Sequence, residues 1–597
     1  MASAALMVNG EIVTAAHEER FSRIKLDVGF PLQAAQFCLQ EAGIRPEAVD
    51  VVALSNVGFD PNGLANILFK RPALYTIQDW IDENDRYWRP TLVEGKQNGS
   101  YFHIMGGFDR VQKHYYDIHD IDMDAPPDVV TNTFNEIRKD TVERLLGISR
   151  GRVVFLPHYM LHHYHAYYSS HMRGKDVVIS HMEGDGGGCN AAVSITTDQG
   201  LKQIGGTNQC DLGRLYQWCT LLLGMKPYHH EFKIMGLAPY ATEHEVNKSI
   251  KIFEPIFRLD EDCMSVIYDE RPRDLYFWFR DRFIGHRFDG IAGALQTLLE
   301  NHLTQWIEFI VNKTGRPRVC FGGGVAMNVK ANMLLSQLPC VSDLFVPLSP
   351  GDETNVFGAG YQITEKHFVE TGRHPDEIPP MTTFYPGPCF SRLDALKAID
   401  ERNVKEKGFF VTEHVGNEKA AELLAEGFVI GRLHGKSEFG QRALGNRSIL
   451  ANPSMPGVVD KINHQIKYRD FWMPFCPSVL DTDAHKYLDN PKDVRAESMT
   501  ICFPARPEYK DELKGGIHSG DLTARPQILN RKRNPEYYDL IAEFKKITRI
   551  GALINTSFNL HGEPIVNTPA DALHTFFNSE LDAVWIEDIL VSRKKLI

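Results

Sequence analysis

Two short pairs carry the most pointed chemistry of the C-terminal third: Lys467 and Arg469 in Lys-Tyr-Arg, and Ser557 and Asn559 in Ser-Phe-Asn. In a strand, alternate side chains share a face. Lys467-x-Arg469 is therefore expected to aim two cations into one pocket, and Ser557-x-Asn559 a hydroxyl and an amide into another. Fixed cations with short polar donors suit a phosphate, or a carbonyl that develops negative charge. Lys467, taken as an exposed pocket cation, is expected to add little to stability. Upstream, Gly431-Arg-Leu-His-Gly-Lys-Ser437 is one residue short of a P-loop and is rejected as one. Arg442 and Arg447, just after it, read better as a phosphate clamp, because a planar guanidinium grips an oxyanion two-pronged. Arg525 could add a third prong. Each pair alone reads more readily as a solvated strand face; their concentration in one stretch of chain favours a site.

A second constellation lies in Pro157-His-Tyr-Met-Leu-His-His-Tyr-His. On a helix His158 and His162 share a face, the spacing for two ligands of one metal. Aromatic packing with hydrogen-bonded imidazoles is the plain alternative. Glycine turns supply acidic partners at Glu183 and Asp352, and imidazole with carboxylate suits iron, zinc or manganese. A third feature is Gly322-Gly323-Gly324 leading to Asn328, after a strand and before a helix, where backbone N–H groups can meet a phosphate. A tight packing turn is equally consistent with three glycines. A similar turn at 184–188 makes two, the arrangement an actin-like or sugar-kinase-like ATPase domain uses. There is no Gly-x-Ser-x-Gly elbow and no cysteine in an activating context, so covalent catalysis is not expected.

The elements needed to hold these groups are those of an α/β protein. The chain has 597 residues, too many for one ordinary core. Asn9-Gly10 between apolar runs predicts a hairpin over residues 2–16. A helix is expected from Pro31 to Gly43, then a buried strand at 51–55. Residues 57–150 are aromatic, charged and weakly periodic, read as a helical insertion. Strand and helix alternate again from Val153, with a helix at 298–314 and glycine turns after strands, placing ligands at strand ends. A Pro-rich linker is expected at 379–412, and a second α/β domain, opening on a helix at 418–426, over 413–597.

Composition limits the partners. Lys and Arg total 65 against 77 Asp and Glu, a net charge of −12 without a basic block, which argues against nucleic acid. The 10 cysteines include no Cys-x-x-Cys, which reads as reduced thiols of a cytoplasmic protein. No apolar run approaches a membrane span, and the first residues do not read as a signal peptide.

With these residues in view the chain resembles the NodU/CmcH family of ATP-dependent O-carbamoyltransferases. The matching blocks are Glu18-Glu-Arg-Phe-Ser-Arg23, the histidine cluster, Glu231-Phe-Lys-Ile-Met-Gly-Leu-Ala-Pro-Tyr240, Gly323 to Asn328, Gly351-Asp352, Phe439 to Leu450, Pro474 to Leu480 and Asn555 to Asn559. The resemblance implies an actin-like ATPase domain like the tRNA threonylcarbamoyl transferases over 1–378, followed by a YrdC-like domain. It implies that the YrdC-like part makes carbamoyl-adenylate from carbamoyl phosphate and ATP with magnesium, through Lys467, Arg469, Ser557, Asn559 and Arg442, with Arg447 and Arg525 at other phosphate contacts. The first domain would then carbamoylate a hydroxyl of a small molecule. Lys233, Gly322, Gly323, Gly324 and Asn328 would meet the nucleotide there, beside an iron-like ion on His158, His162, Glu183 and Asp352.

Three departures stand out. Glu183 replaces the usual aspartate. Tyr159 and His163 alter the histidine block, leaving His162 with His165 as a less favoured register. The chain begins inside the family's opening stretch, so its first strand and His-Asp pair are expected to be missing. Rival readings are a carbamoyl-handling tRNA-modification or maturation enzyme, disfavoured by charge, module order and the lack of Cys-x-x-Cys fingers, and an inactive nucleotide-binding protein. A homodimer stays open.

Overall fold

Asn9 and Gly10 both take positive φ, 51° and 84°, the two left-handed residues a type I′ turn requires. They join β1 (Ser3–Val8) to β2 (Glu11–His17) in an antiparallel hairpin, as the Asn-Gly signal predicts. The computed structural model describes residues 1–56, 75–96, 101, 115–119, 121–184 and 187–596. The chain divides into two units, Met1–Met381 and Thr382–Ile597, each mixed α/β.

In the first unit α1 (Leu32–Glu41) packs on the hairpin. β3 (Val52–Asn56) pairs in parallel with β4 (Val153–Pro157). β3 is less buried than its apolar run suggests, because it belongs to a two-stranded sheet. Much of the 57–150 insertion lies outside the described residues. Its described part includes helix Ile77–Glu83 and α2 (Pro127–Leu146), which ends at Gly147 with φ 71°. Trp80, Tyr101, Tyr116 and Phe134 there form an aromatic core that also includes Val153 of β4.

The larger sheet of this unit is built from β5 (Val178–Met182), β6 (Ala191–Thr197), β7 (Gly200–Thr207), β8 (Arg318–Gly322) and β9 (Asp343–Phe345), in the order β9-β8-β5-β6-β7. β5 to β7 are antiparallel, whereas β8 and β9 run parallel to β5. α3 (His158–Tyr168) follows β4 directly. α4 (Phe288–Thr314) begins ten residues before the expected helix start. The sequence hid this because Gly290 and Gly293 look like helix breakers. In the fold they admit a close neighbour: a Cβ on Gly293 would stand 2.8 Å from Ala241 and Val246 side chains. α5 (Val329–Gln337) and α6 (Asn355–Glu370) complete the frame.

In the second unit, α7 (Arg392–Glu401), capped by Ser391 and Asp394, and β10 (Phe410–Thr412) occupy the stretch expected to be a linker. Ala395, Ala398 and Ile399 of α7 are buried in the core with Leu573 and Phe576 of α9 (Pro569–Phe577). Residues 382–412 thus belong to the packed unit, because the apolar face of α7 outweighs the Pro-rich lead-in. The expected helix at 418–426 is α8 (Asn417–Ala425). The sheet has eight strands: β10, β11 (Ile430–Leu433), β12 (Arg447–Ala451), β13 (Cys476–Leu480), β14 (Gln527–Leu529), β15 (Ala552–Ser557), β16 (Ala583–Ile586) and β17 (Ile589–Ser592), ordered β10-β17-β16-β11-β12-β15-β13-β14. Among the described residues no helix is long and apolar enough to cross a membrane.

The tightest crossing in the first unit is α3 on α6. A Cβ on Gly358 of α6 would collide with the Leu161 carbonyl of α3. Gly358→Ala must push the helices apart and is expected to lower stability by about 1–3 kcal/mol. Urea unfolding reads this directly, and an unchanged midpoint would mean that the crossing is slack.

Candidate functional site

Pro157 caps the start of α3 and leaves His158 as its first residue, so His158 and His162 lie one turn apart on one face. Their Nε2 atoms are 3.3 Å apart. Glu183 comes directly off the end of β5, and Asp352 opens the 3-10 turn before α6. Glu183 approaches each imidazole Nε2 to 3.3 Å. Asp352 Oδ1 lies 3.5 Å from His158 and 3.8 Å from His162. One ligand atom from each of the four residues lies within 4.8 Å of all the others. Ligands at about 2.1 Å from a common ion stand about 3.0–3.4 Å apart, so most of these spacings already match. Glu183 Oε1 is buried yet accepts no hydrogen bond. Two imidazoles, two carboxylates and an orphaned buried oxygen fit a divalent transition metal. Ser55 Oγ, 3.0 Å from His158 Nδ1, steadies that ring from behind. His165, the alternative ligand, points elsewhere: its Nε2 donates to the Leu348 carbonyl at 3.0 Å, and Ser169 Oγ sits 2.8 Å from its Nδ1.

The electrostatics say what the cluster lacks. Burial alone would lower the His158 imidazole, but Glu183 and Asp352 outweigh it and raise it to about 10. Burial would raise the Glu183 carboxyl, but His162 and His158 hold it well below the carboxylate range. Asp352, whose side chain is about half exposed, is drawn down to about 2, its desolvation outweighed by the hydrogen bond to His158. Without an ion, a proton on His158 supplies the positive charge that the carboxylates demand.

The glycine turn lies against this cluster. A Cβ on Gly322 would stand 3.1 Å from the His162 carbonyl oxygen, and one on Gly323, at φ +85°, 2.6 Å from that of Met182. Gly323 is required by packing and by its positive φ, and Gly322 is tightly packed. Gly324 faces open space and leaves room for a ligand. Asn328 is corrected. It caps α5 through Ala331 N, exchanges two hydrogen bonds with Gln296 at 2.9 and 3.0 Å, and donates to Tyr216 Oη at 3.3 Å. An amide committed on all sides is a structural cap rather than a ligand contact. Lys233 is buried on the short helix Glu231–Leu237.

In the second unit the strand argument for Lys467-x-Arg469 does not hold. Lys467 ends a π-helical turn, Asn463–Lys467, and Tyr468 takes φ 46°. Lys467 meets the second pair nonetheless. Lys467 is 2% exposed, not an exposed cation. Its Nζ donates to Ser557 Oγ at 3.2 Å and Asn559 O at 3.0 Å, and also to Ser557 O and Asn559 Oδ1. Ser557 Oγ donates to Asn559 Oδ1 at 2.8 Å. Lys467, Ser557 and Asn559 therefore form one cluster. Arg525 donates to Cys476 Sγ from Nε at 2.9 Å and from Nη2 at 2.6 Å. Arg469 lies over the Phe475 ring, 5.6 Å from its centroid. Burial lowers its guanidinium to about 10, with Cys476 opposing and Arg525 adding to the shift. Among the described residues neither guanidinium has a carboxylate partner.

Arg442 is half-buried in the turn between β11 and β12. Arg447 is corrected: it is fully buried, and its guanidinium donates to the carbonyls of His434, Asn446, Pro388 and Gly435 at 3.0–3.1 Å. It locks a turn with four of its five N–H donors, and the fifth, at Nε, is buried away from any ligand. Sequence reading missed Cys476, which carried no signal, and His181. His181 had one: it alternates with Glu183 along β5 and comes within 3.4 Å of it.

Two family models match the chain, carbamoyltransferase N-terminus over residues 2–361 and carbamoyltransferase C-terminus over 421–593. An uncharacterized protein of Methanocaldococcus jannaschii is 32% identical over 486 residues, 78% of either chain. Nodulation protein NolNO of Sinorhizobium fredii is 28% identical over 604 residues, covering 99% of this chain and 79% of its own. Nodulation protein NolO of Bradyrhizobium diazoefficiens is 33% identical over 389 residues, covering 64% and 69%.

A divalent ion entering the first cluster must displace the His158 proton. Since that proton is held up to about 10, binding at pH 7 is expected to release about one proton per ion, and affinity to rise about tenfold per pH unit from 7 to 9. Calorimetry in buffers of different ionisation enthalpy measures the release. No release, or a flat affinity, would deny this coupling.

Proposed function

The chain belongs to the carbamoyltransferase family, and on that footing we propose that it is an ATP-dependent O-carbamoyltransferase that works in two steps. In the second unit, read as YrdC-like, carbamoyl phosphate and water give carbamate and inorganic phosphate. A carbamate oxygen then attacks the α-phosphorus of ATP, and pyrophosphate leaves. In the first unit, read as actin-like, a hydroxyl of a small molecule attacks the carbamoyl carbon. The carbon–oxygen bond to AMP breaks, AMP takes the electron pair, and the hydroxyl proton is lost.

One observation carries this reading: Lys467, tied to Ser557 and Asn559, beside Arg469 and Arg525, which have no carboxylate partner among the described residues. Cations left uncompensated in a half-buried pocket favour an anionic ligand and its transition state. Lys467 fixes the floor of the pocket. Arg469 and Arg525 are placed to face phosphate oxygens, with Arg442 on the neighbouring turn. In the first unit His158, His162, Glu183 and Asp352 would hold a divalent ion, iron by resemblance, which supplies Lewis acidity toward a carbonyl or phosphate oxygen. Gly324 offers its backbone at the open edge of the turn beside them.

The test is pyrophosphate release from ATP, magnesium and carbamoyl phosphate without an acceptor. Release is expected only with all three present. Arg469→Ala should slow it about 100- to 1000-fold with little loss of stability, since among the described residues the guanidinium makes a ring contact and no side-chain hydrogen bond. Lys467→Ala should in addition destabilise by about 1–3 kcal/mol, because it strands buried acceptors. Absence of release from folded protein would favour a nucleotide-binding protein without turnover.

A further inference from the structure

His181 lies on β5 two residues before Glu183, on the same face of the strand. It is fully buried, stacks on His162 at 10° with centroids 5.9 Å apart, and brings Nε2 to 3.4 Å from Glu183 Oε1. Behind it the contacts form a chain. His181 Nδ1 is 2.9 Å from His163 Nε2, and His163 Nδ1 is 2.7 Å from Ser194 Oγ on β6. His163 and Ser194 are also fully buried.

The chain has a direction. His181 Nε2 lies 3.3 Å from the Cys189 carbonyl, which only accepts, so Nε2 carries a hydrogen. In a neutral ring Nδ1 then accepts, and His163 Nε2 must donate to it. His163 Nδ1 in turn accepts, and Ser194 Oγ–H donates. Each step fixes the tautomer of the next, and the final N–H lies in the groove between the Cys189 carbonyl and Glu183 Oε1. That oxygen is buried and accepts no well-formed hydrogen bond.

We propose that His181 is a positioning residue for the metal ligand Glu183, with its tautomer set from Ser194 through His163. The proposal rests on the metal reading of the cluster. A small rotation of the Glu183 carboxylate turns the 3.4 Å approach into a hydrogen bond, holding the carboxylate in the plane that suits the ion and limiting its freedom when the ion leaves. A ligand oriented in this way binds metal more tightly than one that must be ordered by the ion, by about 10- to 100-fold.

The experiment measures metal affinity of the full chain by chelator competition, with cobalt(II) as probe, and records its visible absorption. His181→Leu is expected to bind one ion about 10- to 100-fold more weakly, with an altered cobalt spectrum. His181→Gln, which keeps an N–H at similar reach, should recover most of the affinity. If the Leu variant fails to fold, His163→Leu breaks the chain one residue further away and should give a smaller change of the same sign. Wild-type affinity and spectrum in folded His181→Leu or His163→Leu would overturn the role. Complete loss in both His181 variants, equal to that of His162→Ala, would make His181 a ligand and also overturn it. A wild-type chain that binds no ion would instead remove the metal reading beneath the proposal.

Discussion

The first unit turns on one steric fact: α3 lies in backbone contact with what surrounds it. Gly358 lets α6 touch the Leu161 carbonyl, and Gly322 brings the end of β8 to that of His162. Leu161 and His162 are adjacent, so both contacts grip the same turn of helix. That grip sets the rotation of α3, and rotation decides where His158 and His162 point. Their carboxylate partners come from separate elements, one after β5 and one before α6. Side-chain packing tolerates displacements of some tenths of an ångström, whereas a carbonyl against a glycine Cα does not. The contact that fixes α3 therefore also fixes the distances inside the cluster. The same logic explains why two of the three glycines in the turn at 322–324 serve packing and only the third is open to a ligand.

In the second unit, the cations differ in burial and in what their donors meet. Arg447 is fully buried and gives four of its five donors to carbonyls of neighbouring turns. Arg432 on β11 donates to the Gly445 carbonyl and to Asn446 Oδ1, between the rings of Tyr537 and Trp585. These two arginines hold both ends of the segment that carries Arg442, and they are structural. Lys467 is also saturated, but by the very groups, Ser557 and Asn559, that share its pocket. Arg469 and Arg525 are only partly buried and, among the described residues, keep donors in reserve. A buried cation bonded to carbonyls stabilises a turn; one facing only a thiol or a ring is available to an incoming anion.

Local rules in the sequence predicted local structure well. Asn9-Gly10 has a single good solution, a type I′ hairpin. His158 and His162 needed only helical spacing, and the helix was announced by Pro157. Misreadings came where tertiary contact overrides the local rule. Lys467 and Arg469 looked like a strand pair, yet a π-turn and a left-handed Tyr468 separate them. Arg447 looked like a phosphate ligand because its type can do that chemistry, and nothing in the sequence counts the carbonyls that surround it. Asn328 has the same history with Gln296 and Tyr216. The start of α4 was hidden by glycines whose purpose is close approach to another element. His181 was within reach of the alternation rule, but attention to carboxylates passed over the imidazole beside them.

The two clusters carry opposite charge, and this fits the chemistry proposed for each. With neutral imidazoles, His158, His162, Glu183 and Asp352 sum to two negative charges, enough to neutralise one divalent ion. Such a cluster without its ion repels a polyphosphate and recruits a proton instead, as the raised His158 shows. Lys467, Arg469 and Arg525 sum to three positive charges, which would suit the nucleotide triphosphate proposed as ligand or the pyrophosphate it would lose. Fixed cations assist a reaction most where negative charge grows and moves, as when pyrophosphate departs. A divalent ion assists most where a carbonyl or phosphate must be polarised. Adenylation poses the first problem and carbamoyl transfer the second. Built from these side chains, one site could not solve both, because the carboxylates that hold the ion would form ion pairs with the cations that must stay free.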